Sequence, residues 1–228
     1  MPARFLEGVL KAGGNNAFDG VAFHAYDYYD TSRRGVYSNS NWHSSSASTG
    51  PVVTEKVTYV SELLSKYGVQ GKFLMNTEMA LVCGRDGTES RCLTQEYADT
   101  KAAYVVEAYA ASLAQGLRAA MWYNLSGWRG SGLLDAFGGK TSAYQAYAFA
   151  SSRLSGASSI MAIVPGQGIQ GYEVGKGAGR MWVIWAIDGN RHVLALPEAP
   201  RATFDIAGKP IQPGKTMTIS SMPVYLDW

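Results

Sequence analysis

The sequence contains few charged residues, only two cysteines and no long hydrophobic run. Of its 228 residues, 17% are charged and 46% are hydrophobic, and the formal net charge is +2. This composition is typical of a globular, soluble chain rather than a disordered one, and the length allows one large domain or two small ones. A net charge this close to zero argues against nucleic acid and against an anionic membrane surface as partners.

Membrane-spanning and export signals are also missing from the pattern. No stretch approaches the roughly eighteen consecutive apolar residues that a transmembrane helix needs, so we expect no membrane partner. The first residues lead directly into a helical pattern, without the charged and apolar regions of a signal peptide. The sequence therefore predicts no leader of its own, and it is compatible with a segment from within a longer parent protein.

The two cysteines, Cys83 and Cys92, lie at the two ends of a short polar loop. In an exported protein they would form a disulfide that closes this loop, whereas in a cytosolic protein they would be two free thiols. We favour the disulfide, which indicates a secreted parent. Neither cysteine has a neighbouring ligand at zinc spacing, so we expect no metal, and the sequence indicates no other cofactor.

The first three-fifths of the chain alternates strand and helix patterns. The predicted strands are 21–26, 73–77 and 119–124, and the predicted helices are 5–12, 54–67, 95–115 and 141–154. Strands separated by helices of this length imply βαβ units, and therefore a parallel sheet.

The last third changes to short strand candidates without helices. These candidates are 160–164, 171–174, 181–187, 192–196, 203–206, 216–220 and 224–226. The segment Asp188-Gly189-Asn190 between two of them is typical of a β-hairpin turn. We therefore predict two domains, an α/β domain over 1–157 and an antiparallel β-sandwich over 158–228.

Glu78 is the most informative residue, because it ends an apolar strand and a buried carboxylate costs several kcal/mol unless it is paired. Side chains alternate between the faces of a strand, so each predicted strand has one face that turns polar or aromatic towards its end. The residues on these faces are His24 and Tyr26, Asn76 and Glu78, and Trp122 and Asn124. Parallel strands end at one side of a sheet, where (β/α)8 barrels have their active sites. We therefore expect His24, Tyr26, Glu78 and Trp122 to converge.

These motifs resemble the retaining glycoside hydrolases of the large (β/α)8 clan that includes cellulases, β-xylosidases and β-galactosidases. Segment 18–26 resembles their sixth strand, 73–78 the seventh strand with its nucleophilic glutamate, and 119–124 the eighth. The β-rich last third is similar to the sandwich appended to such barrels. The resemblance implies a fold of α/β plus all-β type, a partial (β/α)8 barrel followed by a C-terminal antiparallel β-sandwich.

The resemblance also implies roles in carbohydrate binding and cleavage. Glu78 would be the nucleophile, Tyr26 would hydrogen-bond it, and His24 would position sugar hydroxyls or the acid. The substrate-binding residues would be Trp122, Asn76, Asn124 and Trp42, the last from an aromatic loop. Structural alternatives stay open: His24 and Trp122 as core residues, Glu78 as the partner of a buried cation, and Trp42 as part of a packed surface loop.

The resemblance is incomplete because it lacks the acid/base residue, which in this clan follows an asparagine at the end of the fourth strand. Asp27 and Asp30 are the nearest substitutes. The sequence thus predicts a fragment with the nucleophile half of a site, weak or inactive alone. Three parallel strands would have unpaired edges, so we expect a homo-oligomer. The alternative is a non-catalytic carbohydrate-binding or self-assembling module.

Overall fold

The computed structural model describes residues 3–30, 36–47 and 49–228 of the chain. Its first part contains these elements: α1 (Ala3–Lys11), β1 (Gly20–Tyr29), β2 (Tyr37–Asn39), β3 (Ser44–Ser45), α2 (Val52–Lys66), β4 (Phe73–Val82), α3 (Gln95–Ala114), β5 (Ala119–Trp122) and α4 (Ser142–Leu154). All the predicted helices and strands of this part are present, but β4 continues to Val82, so the prediction that Glu78 ends its strand is wrong. The antiparallel strands β2 and β3 were not predicted.

Glycine and threonine set the ends of the helices. Thr94 Oγ1 accepts a hydrogen bond from Tyr97 N (3.2 Å) at the start of α3, and Thr141 Oγ1 accepts one from Tyr144 N (3.3 Å) at the start of α4. These bonds satisfy amide groups that have no partner in the first turn of a helix. After α2, Gly68 has a positive φ of 68°, a conformation that favours glycine and ends the helix.

The five-stranded sheet has the order β3-β2-β1-β4-β5. Strands β1, β4 and β5 are parallel, which confirms the predicted parallel core, while β2 and β3 extend the sheet antiparallel to β1. Strand β1 alternates strictly: Val21, Phe23 and Ala25 are buried, whereas His24 is exposed. The buried face packs against α2 and α3 through residues such as Val57. The opposite face is open.

The last third consists of short strands, as predicted. They are β6 (Ser159–Gly166), β7 (Ile169–Lys176), β8 (Gly179–Ala186), β9 (His192–Ala195), β10 (Ala202–Phe204), β11 (Pro210–Ile211), β12 (Thr216–Ile219) and β13 (Val224–Asp227). Six of them form an antiparallel sheet with the order β11-β10-β13-β8-β7-β6, and β9 pairs with β12 in a separate sheet. Strand β11 was not predicted.

The predicted hairpin at Asp188-Gly189-Asn190 is wrong, although a turn is present. Asn190 N donates to Asp188 Oδ1 (3.0 Å), and Gly189 has a φ of 75°. Strand β8, however, is already paired on both sides, with β7 and with β13. Strand β9 has no free edge to join there and pairs with β12 instead.

Two apolar clusters lie on opposite faces of the six-stranded sheet. Val183 and Trp185 of β8 pack with Ala146 and Ala150 of α4, while Ile184 belongs to a second cluster. That second cluster includes side chains of the two-stranded sheet, among them Leu194 and Ile219. The chain is therefore a mixed α/β protein with several sheets and four helices in its described part.

The disulfide prediction is confirmed. Cys83 and Cys92 are bonded with an S–S distance of 2.02 Å, so the alternative of two free thiols is wrong. In the described part of the chain, every helix is too short or too polar to cross a membrane.

Candidate active site

Three of the predicted site residues meet on the open face of the parallel sheet. Tyr26 OH donates a hydrogen bond of 2.5 Å to Glu78 Oε2, and His24 Nδ1 lies 3.2 Å from the same oxygen. The side chains of His24 and Glu78 are 47% and 32% exposed, so a ligand can reach them. The predicted convergence of these three residues is confirmed.

An irregularity in strand pairing produces this arrangement. Phe23 pairs with Asn76, but the next residue of β1, His24, pairs with Glu78. Two steps along β4 thus oppose one step along β1, which is the pattern of a β-bulge with Thr77 as the extra residue. The bulge places Glu78 on the same face as His24.

The prediction that Asn76 shares a face with Glu78 is wrong for the same reason. Asn76 is fully buried, and with its amide oriented to satisfy its hydrogen bonds, Nδ2 donates to Glu78 O (2.8 Å) and to Phe23 O (3.2 Å). Regular alternation would have exposed both side chains, but the extra residue reverses the faces. Asn76 therefore stabilises the bulge that presents Glu78.

The predicted position of Trp122 on the Glu78 face is also wrong. Trp122 pairs with Met79, which is fully buried, and its ring lies 6.1 Å from the ring of Tyr104 on α3. The indole Nε1 donates to Ser131 O (2.9 Å) in the loop after β5. A shift in register between β4 and β5 turns Trp122 towards the helices.

Two aromatic residues missed in the sequence surround Tyr26 instead. Its ring lies 6.4 Å from that of Tyr123 and 5.4 Å from that of Trp128. Tyr123 and Trp128 are 37% and 43% exposed. Tyr123 follows Trp122 directly, so knowledge of the β5 register would have identified it. Trp128 lies in a loop, where there is no strand periodicity that could have predicted its position.

Asn124 and Trp42 make contacts with residues other than Glu78. Asn124 Oδ1 accepts from Gly127 N (2.6 Å) and shapes the loop after β5. The ring of Trp42 packs on that of Tyr59 (5.4 Å), and Lys56 Nζ lies 5.1 Å from its centre. The role of Asn124 and of Trp42 in substrate binding stays a prediction.

Lys56 connects the Trp42 region to His24. Its Nζ donates to His24 O (2.7 Å), and it lines a small cavity of about 30 Å³ together with His24, Trp42 and Tyr59. Burial lowers the pKa of Lys56, and the charge of Asp27 partly opposes this shift. Because Lys56 belongs to α2, its bond to His24 O connects the main chain of His24 to that helix.

The environment of Tyr26 keeps its phenol protonated. Its pKa is raised well above the ordinary value, first because of burial and then because of its hydrogen bond to Glu78 and the charge of that carboxylate. Tyr26 is therefore a fixed hydrogen-bond donor to Glu78 at neutral pH.

Asp27, considered above as a substitute acid, lies on the opposite face. Its carboxylate is fully buried and accepts hydrogen bonds from Ser44 Oγ (2.6 Å), Val52 N (2.8 Å) and Tyr104 OH (2.9 Å). Burial raises the pKa of Asp27 to about 6, against the lowering effect of these bonds. Because Asp27 points away from Glu78, it is not the acid of this site. For Asp30, that role stays a prediction.

Metal ligation is not supported in the segments that the structure describes, since no group of three or more His, Cys, Asp and Glu side chains could hold an ion. The site is a carboxylate with a phenol and an imidazole on one oxygen, beside exposed aromatic rings. Such a group can act as a nucleophile or bind sugar hydroxyls.

No protein-family model and no curated protein matches the sequence. Solved structures do match the fold. A family 39 glycoside hydrolase from the gut symbiont Bacteroides cellulosilyticus WH2 has a TM-score of 0.69 and 18% identity over 97% of this chain and 46% of its own. A glucosidase from Croceicoccus marinus has a TM-score of 0.57 and 13% identity over 98% of this chain and 56% of its own.

A GH51 arabinofuranosidase from Xanthomonas axonopodis pv. citri gives a similar result, with a TM-score of 0.55 and 14% identity over 99% of this chain and 56% of its own. This chain thus spans about half of the length of each of these structures. At this level of identity the similarity concerns the fold, and the chain has the fold of the corresponding half of these glycoside hydrolases.

Proposed function

We propose that this chain carries the nucleophile half of the active site of a retaining glycoside hydrolase. In this proposal residues 1–157 supply strands six to eight of a (β/α)8 barrel, and residues 158–228 form an appended β-sandwich. The observation that carries it is the placement of Tyr26 OH and His24 Nδ1 on one oxygen of Glu78, on the open face of parallel strands. The fold similarity to glycoside hydrolases over 97% of the chain supports it.

In this proposal the two oxygens of Glu78 have different roles. Tyr26 and His24 both contact Oε2, so Oε1 is the oxygen that attacks the anomeric carbon. The bond from sugar to leaving group breaks as the bond to Oε1 forms, which yields a covalent glycosyl-enzyme that water then hydrolyses. The contacts of Tyr26 and His24 with Oε2 hold the carboxylate in one orientation for this attack.

The retaining mechanism needs a second carboxyl group about 5 Å from the first. The resemblance assigns that residue to the fourth strand of a barrel, and to none of the three strands matched here. General acid assistance is typically worth roughly 10²–10⁴-fold in rate. We therefore propose little activity of this chain on unactivated glycosides, and more reaction with substrates whose leaving group needs no proton.

Covalent labelling tests the proposal without the acid. Activated fluoroglycosides carry a fluorine beside the anomeric carbon and a good leaving group. They react with the nucleophile, and the glycosyl-enzyme that forms accumulates. Glucosyl and arabinofuranosyl reagents are the first choices, because the names of two similar structures refer to these sugars. We expect mass spectrometry of peptides to find the label on Glu78. Glu78→Gln should abolish labelling, and Glu62→Gln, an exposed position on α2, should leave it unchanged.

Labelling of another residue, or of both variants alike, would contradict the assignment of Glu78. The alternative, a non-catalytic carbohydrate-binding module, is favoured by the exposed rings of Tyr123 and Trp128. Sugar binding followed by tryptophan fluorescence distinguishes the two. Binding that survives Glu78→Ala but is lost in Trp128→Ala would support the binding module.

Self-association through the edges of the parallel sheet stays a prediction. The terminal strands of that sheet are β3 and β5. Light scattering coupled to size exclusion should give a mass above that of one 24.5 kDa chain. A single monomeric species at micromolar concentration would refute it.

A further inference from the structure

Arg129 joins the loop after β5 to the loop that the disulfide closes. Its Nε donates to Gly84 O (2.7 Å), its Nη2 donates to the same oxygen, and its own carbonyl accepts from Cys83 N (2.9 Å). Arg129 also has a φ of 51°, in the left-handed region that non-glycine residues rarely adopt. A residue in such a conformation persists only where its surroundings hold it, and such residues cluster at functional sites.

The disulfide loop is a rigid support for Arg129. The bond from Cys83 to Cys92 closes it, and the carboxylate of Glu89 accepts from Arg85 N (2.5 Å) and Gly87 N (3.0 Å) within it. These main-chain hydrogen bonds lower the pKa of Glu89 to about 2, so they persist at physiological pH.

The two loops touch without space between them. A Cβ atom at Gly87, whose φ is 83°, would lie 2.2 Å from Gly130 N and 2.5 Å from Arg129 C. On its other side, the loop after β5 is held by Lys101 of α3, whose Nζ donates to Gly130 O (2.9 Å) and Gly132 O (2.8 Å). The position of Arg129 is thus set from both sides.

From Arg129 the contacts continue to Glu78. The guanidinium carbon lies 5.5 Å from the ring centre of Trp128 and 5.5 Å from that of Tyr28. The ring of Trp128 packs against that of Tyr26 at 5.4 Å, and Tyr26 OH donates to Glu78. Cation–π contacts of this kind fix the plane of an aromatic ring relative to the cation.

We propose that Arg129 is a positioning residue for the Glu78 site, anchored on the disulfide loop. It holds Trp128 against Tyr26, and thereby directs the Tyr26 hydroxyl onto Glu78. The catalytic consequence rests on the proposed function, whereas the coupling between the disulfide loop and Trp128 does not. Reduction of the disulfide would then loosen the loop that carries Trp128 and Arg129, without changing any residue that contacts Glu78.

Fluorine NMR of the whole chain, with fluorinated tryptophan incorporated, tests the coupling directly. The chain has six tryptophans, and Trp128→Phe identifies the signal of Trp128. We expect Arg129→Gln, and separately the double change Cys83→Ser with Cys92→Ser, to shift or broaden that signal. The signal of Trp182, in the six-stranded sheet, should stay in place and report that the protein is folded.

Arg118→Gln is the matched control, because Arg118 makes a cation–π contact of 4.5 Å with Phe73 at the opposite end of the same sheet. It should leave the Trp128 signal unchanged. Gly87→Ala, which forces the loops apart, is a second way to break the contact if Arg129→Gln does not fold. A Trp128 signal unaffected by the disulfide and by every folded variant of Arg129 or Gly87 would overturn the proposal.

The rate of Glu78 labelling by activated fluoroglycosides tests the positioning role. We expect Arg129→Gln to slow labelling roughly tenfold at an unchanged amount of folded protein, and Arg129→Lys to recover part of the rate, because it keeps the cation. Equal rates for wild type and Arg129→Gln, with a shifted Trp128 signal, would overturn the positioning role. Absence of labelling in the wild type would instead contradict the proposed function, while the NMR result still decides the coupling.

Discussion

On each face of the parallel sheet a tyrosine donates a hydrogen bond to a carboxylate of the sheet. The two pairs nevertheless differ in what they can do. On the open face Tyr26 OH lies 2.5 Å from Glu78. On the helix face Tyr104 OH lies 2.9 Å from Asp27. The chemistry of the pairs is the same. Burial decides that one carboxylate faces a prospective ligand and the other the core.

The helix face contains a second buried pair close to the first. Tyr37 OH donates to Glu107 at 2.6 Å, and Glu107 is 4% exposed. The pKa of Glu107 is raised to about 7, chiefly because the side chain is buried. The hydrogen bond from Tyr37 lowers this pKa, and the charge of Asp27 raises it further. At pH 7 Glu107 is therefore about half protonated, whereas Asp27, whose pKa is raised only to about 6, is mostly ionised.

Asp27 also caps a helix. Helix α2 follows Pro51, which supplies no side-chain cap, and the carboxylate of Asp27 accepts from Val52 N at the first helical residue. A carboxylate at a helix N-terminus stabilises the helix through a hydrogen bond and through the helix dipole. The buried face of the sheet thus contributes to stability, whereas the open face carries the proposed site.

The largest expected difference between the faces is the effect of Asp27→Ala on stability. This change leaves Tyr104 OH and Val52 N without their acceptor, while Ser44 Oγ keeps Gly50 O, so we expect the free energy of unfolding to fall by about 3 kcal/mol. Glu78→Ala should lower it by less than about 1 kcal/mol, because Glu78 is partly exposed. Urea denaturation measures both, with Asp27→Asn as the control for side-chain size. Similar losses for the two alanine variants would remove the distinction.

A smaller effect is expected from pH. The folded chain retains a proton on Glu107 up to about pH 7, whereas an ordinary glutamate loses it near pH 4.5. Stability from this group is thus complete below about pH 4.5 and is lost as the pH rises to about 7. Glu107→Gln should remove most of this decline. Some decline should remain from Asp27, whose pKa is raised to about 6.

Thermal denaturation at about pH 5, near the lower end of this window, and at about pH 8, above it, measures the effect. Between the lower and the higher pH, the melting temperature of the wild type should fall further than that of Glu107→Gln. Parallel pH dependence of the two proteins would show that Glu107 does not titrate in this range.

The smallest effect should come from Glu78→Gln. Glutamine keeps an acceptor oxygen for Tyr26, and the side chain is only partly buried. We expect the free energy of unfolding to change by less than about 0.5 kcal/mol at either pH. A loss of 2 kcal/mol or more would place Glu78 with the structural carboxylates, and its labelling would then need another explanation.

Sequence periodicity was sufficient wherever the strands and helices are regular. In β1 the alternation correctly placed His24 and Tyr26 on one face. The helices end close to the predicted positions, because groups such as Gly68 and the threonines that precede α3 and α4 act on the adjacent main chain. These features depend on neighbours in sequence, so they could be predicted.

Periodicity failed where strand pairing departs from regular register. The bulge at Thr77 reversed the face of Asn76, and the register shift between β4 and β5 turned Trp122 to the helices. The missing β8–β9 hairpin has the same origin, because both edges of β8 are occupied by distant strands. Pairing of strands is a long-range property, and local sequence does not encode it.

By itself, the sequence determined the four helices, the three parallel strands and the position of His24 and Tyr26 on one face of β1, because side-chain alternation and helix-end signals act over a few residues. Only the tertiary structure decided that Asp27 caps a helix, that Asn76 stabilises a bulge, and that Trp128 rather than Trp122 accompanies Tyr26. These outcomes depend on which segments pack together, and burial by distant elements decides whether a carboxylate serves the core or an open site.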